Sequence, residues 1–283
     1  MKGQPTIAIV GAGRLGTALA LKLKEAGYAV EEIVSGSSRT SLSNARMLAG
    51  KIGSRVSTLD KARLQSGLVW LCVPDREIAR TAKNLAGRFS WKGCTVFHSS
   101  GALPSDELNS LRQAGASVAA VHPFMTFVSG EIPALEGVAF GIEGDSSALK
   151  LARRIVNSLG GTTFSIQKQD KAAYHAWGGF SSPLLVALLM TGEQVARAAG
   201  FSASEARKKM MPIVRQTVSN YEKFGPVGAF TGPLVRGDAE VVRRHLALLR
   251  KVPAAREVYL ALARSALKTL KVRNRDELKR ALR

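Results

Sequence analysis

Thr6-Ile7-Ala8-Ile9-Val10-Gly11-Ala12-Gly13-Arg14-Leu15-Gly16 is a short apolar run that breaks into glycine and then turns helical, and its reading decides the fold. Physically it is a strand, a tight turn and a helix start. Gly11 permits the turn, Gly13 lets the backbone approach a pyrophosphate with no Cβ in the way, and Gly16 lets the new helix pack closely on the sheet. The free N–H groups of the helix start then face the phosphates. The flanks agree: Ala18-Leu19-Ala20-Leu21-Lys22-Leu23 continues the helix and Gly27 closes it. Gly11, Gly13, Arg14, Leu15 and Gly16 are therefore candidate contacts to a dinucleotide.

Working outward, 283 residues with 46% hydrophobic content suffice for two domains with proper cores. The longest apolar runs, such as Leu184 to Met190, fall well short of the ~20 residues of a membrane span. The chain enters its first strand with no leader pattern, so a cytoplasmic location is expected. Cys72 and Cys94 lie in apolar runs without His or Cys companions; they read as reduced core thiols, and no metal site is expected. The net charge of +20 is uneven, with 17 basic and 12 acidic residues in 1–150 against 24 and 9 in 151–283. It is scattered over amphipathic helices with no nucleic-acid motif, and reads as a solvated surface that draws in an anionic cofactor and a small anionic substrate. Neither nucleic acid nor membrane is an expected partner.

Along the chain, Ala29 to Val34 reads as a second strand ending in Ser35-Gly36-Ser37-Ser38-Arg39. An acid at this distance from the glycines would hold the ribose diol of NAD, whereas a nearby arginine suits the 2′-phosphate of NADP. Glu31 and Glu32 come too early. Ser35, Ser37, Ser38 and Arg39 form the candidate phosphate clamp, and the cofactor expected is NADP (NADPH). Ser41 to Gly50 reads as a helix, Val56 to Leu59 as a short strand, and Gly67 to Asp75 as one continuous buried strand. Its exit puts Val73 and Pro74 beside the nicotinamide half, with Asp75 as cap of the next helix. Thr95-Val96-Phe97 delivers His98-Ser99-Ser100-Gly101 to the same edge, and Ser117 to Val121 delivers His122-Pro123. Further strands at 138–143 and 162–166 flank a helix over 148–159.

From Lys171 the pattern is helical almost to the end, so the expected domains are 1–167, a doubly wound α/β sheet, and 168–283, a helical domain. Lys171 and His175 are four apart and share a helix face, a candidate acid/base pair. Gly178-Gly179 and Ser181-Ser182-Pro183 predict a helix break. Helices follow at 204–224, 239–249, 253–270 and from Arg275. Thr231 and Arg236, in the Gly/Pro-rich loop between the first two, are candidate anion-binding groups, and Asp238 a helix cap.

The run of Gly11-Ala12-Gly13-Arg14-Leu15-Gly16, Val73-Pro74-Asp75, His98-Ser99-Ser100-Gly101, His122-Pro123, Lys171-Ala172-Ala173-Tyr174-His175-Ala176 and Thr231 to Asp238 resembles an uncharacterised bacterial family. In that family a Rossmann-like NADP-binding domain is joined to a domain of unknown function numbered 2520. More distantly the arrangement is similar to the superfamily of 6-phosphogluconate dehydrogenase, β-hydroxyacid dehydrogenases, pyrroline-carboxylate reductase and prephenate dehydrogenase. The hydroxyacid branch implies catalysis by a Lys-x-x-x-Asn pair, matched in spacing by Lys171 and His175. Prephenate dehydrogenase implies a Ser and a His-Pro histidine, matched by Ser99 or Ser100 and His122. Ser182-Pro183 departs from the Ser-Asn of the family. The resemblance implies hydride transfer between NADP and a small hydroxy acid, keto acid or imine, with the nicotinamide over Val73, Pro74, Ser99 and Ser100. The substrate would then lie between it, His98, His122 and the Lys171/His175 face, and homodimerisation would run through the helical domain. The competing expectation is a dinucleotide-dependent sensor or assembly protein without turnover.

Overall fold

The computed structural model describes residues 4–283. The strand, turn and helix of the opening stretch are β1 (Ile7–Val10) and α1 (Arg14–Glu25), followed by β2 (Val30–Ser35), α2 (Arg39–Ile52) and β3 (Arg55–Thr58). The second half of the sheet brings β4 (Leu68–Leu71), α3 (Asp75–Ala86), β5 (Thr95–His98), α4 (Asn109–Gln113) and β6 (Ser117–Pro123). Then come β7 (Ala139–Gly144), α5 (Ser146–Ser158) and β8 (Thr162–Ser165). The strand order is β3-β2-β1-β4-β5-β6-β7-β8. All neighbours are parallel except β6 and β7, whose pairing is antiparallel. The order reverses between β1 and β4, and in open α/β sheets this is where a crevice opens at the strands' carboxyl ends.

Alternation along β1 shows why the strands are apolar throughout. Ile7 and Ile9 join one core with Leu19, Leu23, Leu48 and Ile155, while Ala8 and Val10 join another with Ile78, Leu85, Trp91 and Leu111. Both faces of a parallel sheet are covered by helices, so neither phase of the alternation is polar. The apolar run at 67–75 is strand only over Leu68–Leu71; the chain leaves the sheet at Cys72 because Pro74 is the cap residue of α3. Asp75, expected as that cap, occupies the first helical position instead. The second helix starts two residues earlier than expected, because the Ser38 hydroxyl accepts from the Ser41 N–H and caps it.

The chain divides into two compact units, one ending at Gly179 and the other beginning at Phe180. α6 (Lys171–Ser181) therefore starts inside the sheet unit, nine residues before Phe180, whereas strand/helix alternation alone put the change at 167. The reason is local: Lys171 and Tyr174 of α6 are buried among sheet residues, and the Tyr174 ring packs on Phe164 and His122. The helical unit comprises α7 (Pro183–Ala198), α8 (Ala203–Ala229), α9 (Pro233–Arg236), α10 (Ala239–Leu249), α11 (Pro253–Thr269) and α12 (Arg275–Ala281). Pro183 is the first residue of α7 after the non-helical Ser182, which is the expected break. Gly225, with φ of +64°, interrupts α8 where the sequence ends that helix. The core of the unit is Val242, Leu246, Leu260, Leu267 and Leu278 from α10, α11 and α12. In contrast, α7 has no buried residue, and α8 buries only Ala206. Among the described residues no helix is long and apolar enough to cross a membrane.

Candidate functional site

The glycine turn is tight for steric reasons specific to two of its members. A Cβ on Gly11, whose φ is +108°, would lie 2.5 Å from the Cys72 carbonyl oxygen, and one on Gly16 would lie 1.9 Å from the Gly11 carbonyl oxygen. At Gly13 nothing lies within 4 Å, so that backbone faces open space, and no side chain caps α1. A cavity of about 390 Å³ opens there, walled by the turn, the end of β2, and Cys72, Val73 and Pro74 at the exit of β4. The glycine cradle, the uncapped helix start and the space between them fit a dinucleotide's pyrophosphate.

At the far wall Ser35 lines the cavity together with Ser41 and Asn44, which sequence reasoning did not select. Ser37, Ser38 and Arg39 are exposed and outside this lining, and the Ser38 hydroxyl is committed to capping α2. No acid stands at the end of β2. Glu32 is buried and turned away, accepting from the Ser57 hydroxyl at 2.6 Å and the Leu64 N–H at 3.0 Å, and paired with Arg55 at 2.7 Å. Burial works against its charge, yet these partners together hold its carboxyl below the ordinary value. Arg14 starts α1 with its guanidinium exposed and reaching the Phe127 carbonyl at 3.4 Å, while Leu15 packs against the sheet core.

A second constellation sits at the carboxyl ends of β5 and β6. Asp75, next to the cavity-lining Pro74, accepts from the Ser100 hydroxyl at 2.8 Å. That hydroxyl in turn accepts from the Ala102 and Leu103 N–H groups, shaping the turn after β5. The Ser100 carbonyl accepts from Lys171 Nζ at 2.9 Å. Lys171 is 2% exposed, and this burial lowers its pKa while the carboxylates of Glu143 and Asp75 oppose the shift. His122 leaves β6 half-buried, with Nδ1 2.7 Å from the Tyr174 hydroxyl. Burial, then the charges of Lys171 and His175, push its pKa down to about 4. The exposed His175 ring stands 6.5 Å from that of His122. Both imidazoles crowd Gly101, where a Cβ would lie 2.9 Å from His122 Nε2 and 3.0 Å from His175 Cδ2.

The structure thus brings together His122, Lys171, His175 and Ser100, and turns two expected groups, His98 and Ser99, toward other partners. His98 is fully buried, its Nδ1 accepting from the Ser100 N–H at 3.1 Å and its Nε2 3.0 Å from the Pro104 carbonyl, so neither nitrogen is left for a substrate. Burial pushes its pKa down to about 4. The Ser99 hydroxyl accepts from the Trp70 indole N–H at 2.8 Å and is buried. Arg236, in the helical unit, is paired with Asp238 at 2.9 Å; the same pairing occupies the carboxylate expected to cap α10. Thr231 is exposed in the loop before α9. Tyr174, which sequence reasoning passed over, is the residue that joins α6 to His122. Its position three after Lys171 and on the same helix face was the available signal.

The fold and site define a doubly wound unit with a glycine-lined cavity, followed by a helical unit. The Rossmann-like domain model matches residues 2–123, and the domain of unknown function 2520 matches residues 138–266. The two models lie in this order along the chain and together account for most of it. The second match begins within the sheet unit, so the family boundary and the structural one differ. Among curated proteins none matches the sequence. Among solved structures the chain is similar to a candidate NADP oxidoreductase of Bacteroides fragilis, at 21% identity over 93% of this chain and 97% of that one, with a TM-score of 0.77. A Thermotoga maritima protein matches at 24% identity over 98% and 100% of the two chains, with a TM-score of 0.72. A reductive aminase of Aspergillus terreus, in complex with NADPH and ethyl-5-oxohexanoate, matches at 18% identity over 94% of each chain, with a TM-score of 0.66.

Proposed function

We propose that the protein is an NADPH-dependent reductase of a small carbonyl or imine compound. The observation that carries this reading is the chain of contacts Pro74, Asp75, Ser100, Lys171, which ties a buried lysine to the rim of a glycine-lined dinucleotide cavity. The absence of an acid at the end of β2, where Glu32 is committed elsewhere, supports NADP(H) over NAD(H). Gly11, Gly13, Gly16, Ser35, Val73 and Pro74 would hold the cofactor, which when bound supplies a hydride to an electrophilic carbon.

Lys171 is the proton donor in this reading. Desolvation weakens its hold on the proton, and only one of its N–H groups is taken by the Ser100 carbonyl. As the substrate oxygen or nitrogen becomes basic, the ammonium passes it a proton and is left as a neutral amine, to be recharged from solvent. His122 is neutral at physiological pH and serves as a hydrogen-bond donor that orients the heteroatom. The net charge of +20 favours an anionic substrate. The exposed apolar residues of α7 and α8, among them Leu184, Val186, Ile213 and Phe224, support burial of that face against a second copy of the chain.

Fluorescence titration with NADPH, followed by turnover assays with a panel of keto acids and imines, tests the proposal. Lys171→Ala is expected to retain NADPH binding and lose at least about 10²-fold in turnover. Failure to bind NADPH overturns the reading altogether, and binding without turnover on any carbonyl or imine favours a dinucleotide-dependent sensor.

A further inference from the structure

Building on that reductase reading, we propose that Tyr174 is a positioning residue that holds His122 in the tautomer carrying its proton on Nε2, so that a neutral N–H donor faces the substrate. Which imidazole nitrogen carries the proton is decided by what the other nitrogen meets. Here Nδ1 meets the Tyr174 hydroxyl at 2.7 Å. The phenol has one proton and two acceptors in reach, His122 Nδ1 and the His122 carbonyl, the latter at 3.5 Å. Donation from Nδ1–H to the phenol oxygen would leave the phenol proton only the distant carbonyl. Donation from the phenol to Nδ1 satisfies every group at ordinary distances, and the ring proton then resides on Nε2.

The surroundings make this arrangement rigid and keep it uncharged. Tyr174 is buried with its ring against Phe124 and Phe164, and glycine at 141 is what admits the phenol, since a Cβ there would lie 2.9 Å from its oxygen. Burial raises the Tyr174 pKa, so the hydroxyl keeps its proton to donate. The titratable groups facing His122 are Lys171, Tyr174 and His175 from α6 and His98 from β5; none is an acid, and Lys171 and His175 disfavour an imidazolium. Nε2 lies at Gly101, the position that a side chain would close. Tyr174 therefore sets the direction of a hydrogen bond without itself touching the substrate.

Nitrogen-15 NMR of the unliganded protein at neutral pH reads the tautomer directly and does not depend on turnover. A proton on His122 Nε2 is expected; a proton on Nδ1 overturns the proposal even if NADPH is bound and reduced substrates are found. Tyr174→Phe should release a fraction of the Nδ1–H form, move the His122 titration upward toward the ordinary imidazole value, and lower turnover about tenfold, the worth of one hydrogen bond. In a His122→Gln background, whose amide N–H stands in for Nε2–H and has nothing at Nδ1, the same Tyr174→Phe change should cost no more than about twofold. Unchanged tautomer and titration in Tyr174→Phe, or an equal loss in both backgrounds, would show Tyr174 to be packing alone.

Discussion

Gly13 and Gly16 are three residues apart in one turn and answer to different constraints. Gly16 is required by the fold, because a methyl group there would collide with the Gly11 carbonyl; Gly13 has free space and an ordinary extended backbone with φ of −75°. Gly16→Ala is expected to cost about 3 kcal/mol of stability in urea denaturation, as overpacking does. Gly13→Ala should melt like the parent and bind NADPH at least about tenfold more weakly, because only the ligand's approach is blocked; equal melting with equal affinity would contradict the cradle. A pH dependence follows from His98 and His122, each with a folded pKa of about 4 against an ordinary 6.5. Between those values the unfolded chain takes up protons that the folded chain refuses. The stability these residues lend is complete above about pH 6.5 and is lost as pH falls toward 4, at most about 3 kcal/mol per residue and less for the half-buried His122. Thermal melts across this range should fall on the acid side; a melting temperature that rises on acidification would refute it.

Elements differed in how legible they were. The bounds of α10 and α11 and the start of α12 were read almost to the residue, because their signals are local, as in Pro253 at a first helical position and apolar residues at helical spacing, whereas α9 lies in a stretch that reads as loop. The Ser202-Ala203-Ser204-Glu205 start of α8 forms a reciprocal capping box, with the Ser202 hydroxyl accepting from the Glu205 N–H and the Glu205 carboxylate accepting from the Ser202 N–H at 2.9 Å. Ser202→Ala should lower stability by about 1 kcal/mol in denaturant titration, and no change would mean that the first turn of α8 is held by packing instead. Strand ends were less legible. The apolar run 67–75 does not announce that its last residues leave the sheet, since Cys72 and Val73 are as apolar as the strand that precedes them. Within α6, Lys171 and Tyr174 turn toward the sheet unit while His175 is exposed, a difference of rotation that helical spacing by itself left undecided.

At the scale of the molecule, the helical unit keeps its core in α10, α11 and α12 and leaves α7 and α8 with a large apolar face. Val186→Glu together with Ile213→Glu is expected to convert a dimer to a monomer in light scattering while leaving the sheet unit's NADPH affinity intact. A parent protein that is monomeric at micromolar concentration would contradict this use of the face. By itself the sequence determined the doubly wound sheet, the helical second half and the glycine turn, because each is written in short-range signals: short continuous apolar runs in the strands, 3.6 spacing in the helices, and glycines between the first strand and the first helix. Only the tertiary structure decided which polar residues work at the sheet edge. Histidines 98 and 122 leave neighbouring strands two residues apart in the pattern and look alike in the chain, yet one spends both nitrogens on backbone groups and the other meets Tyr174 from a helix 52 residues away. Such partners are joined by burial and by contacts between distant segments, and no spacing along the chain records them.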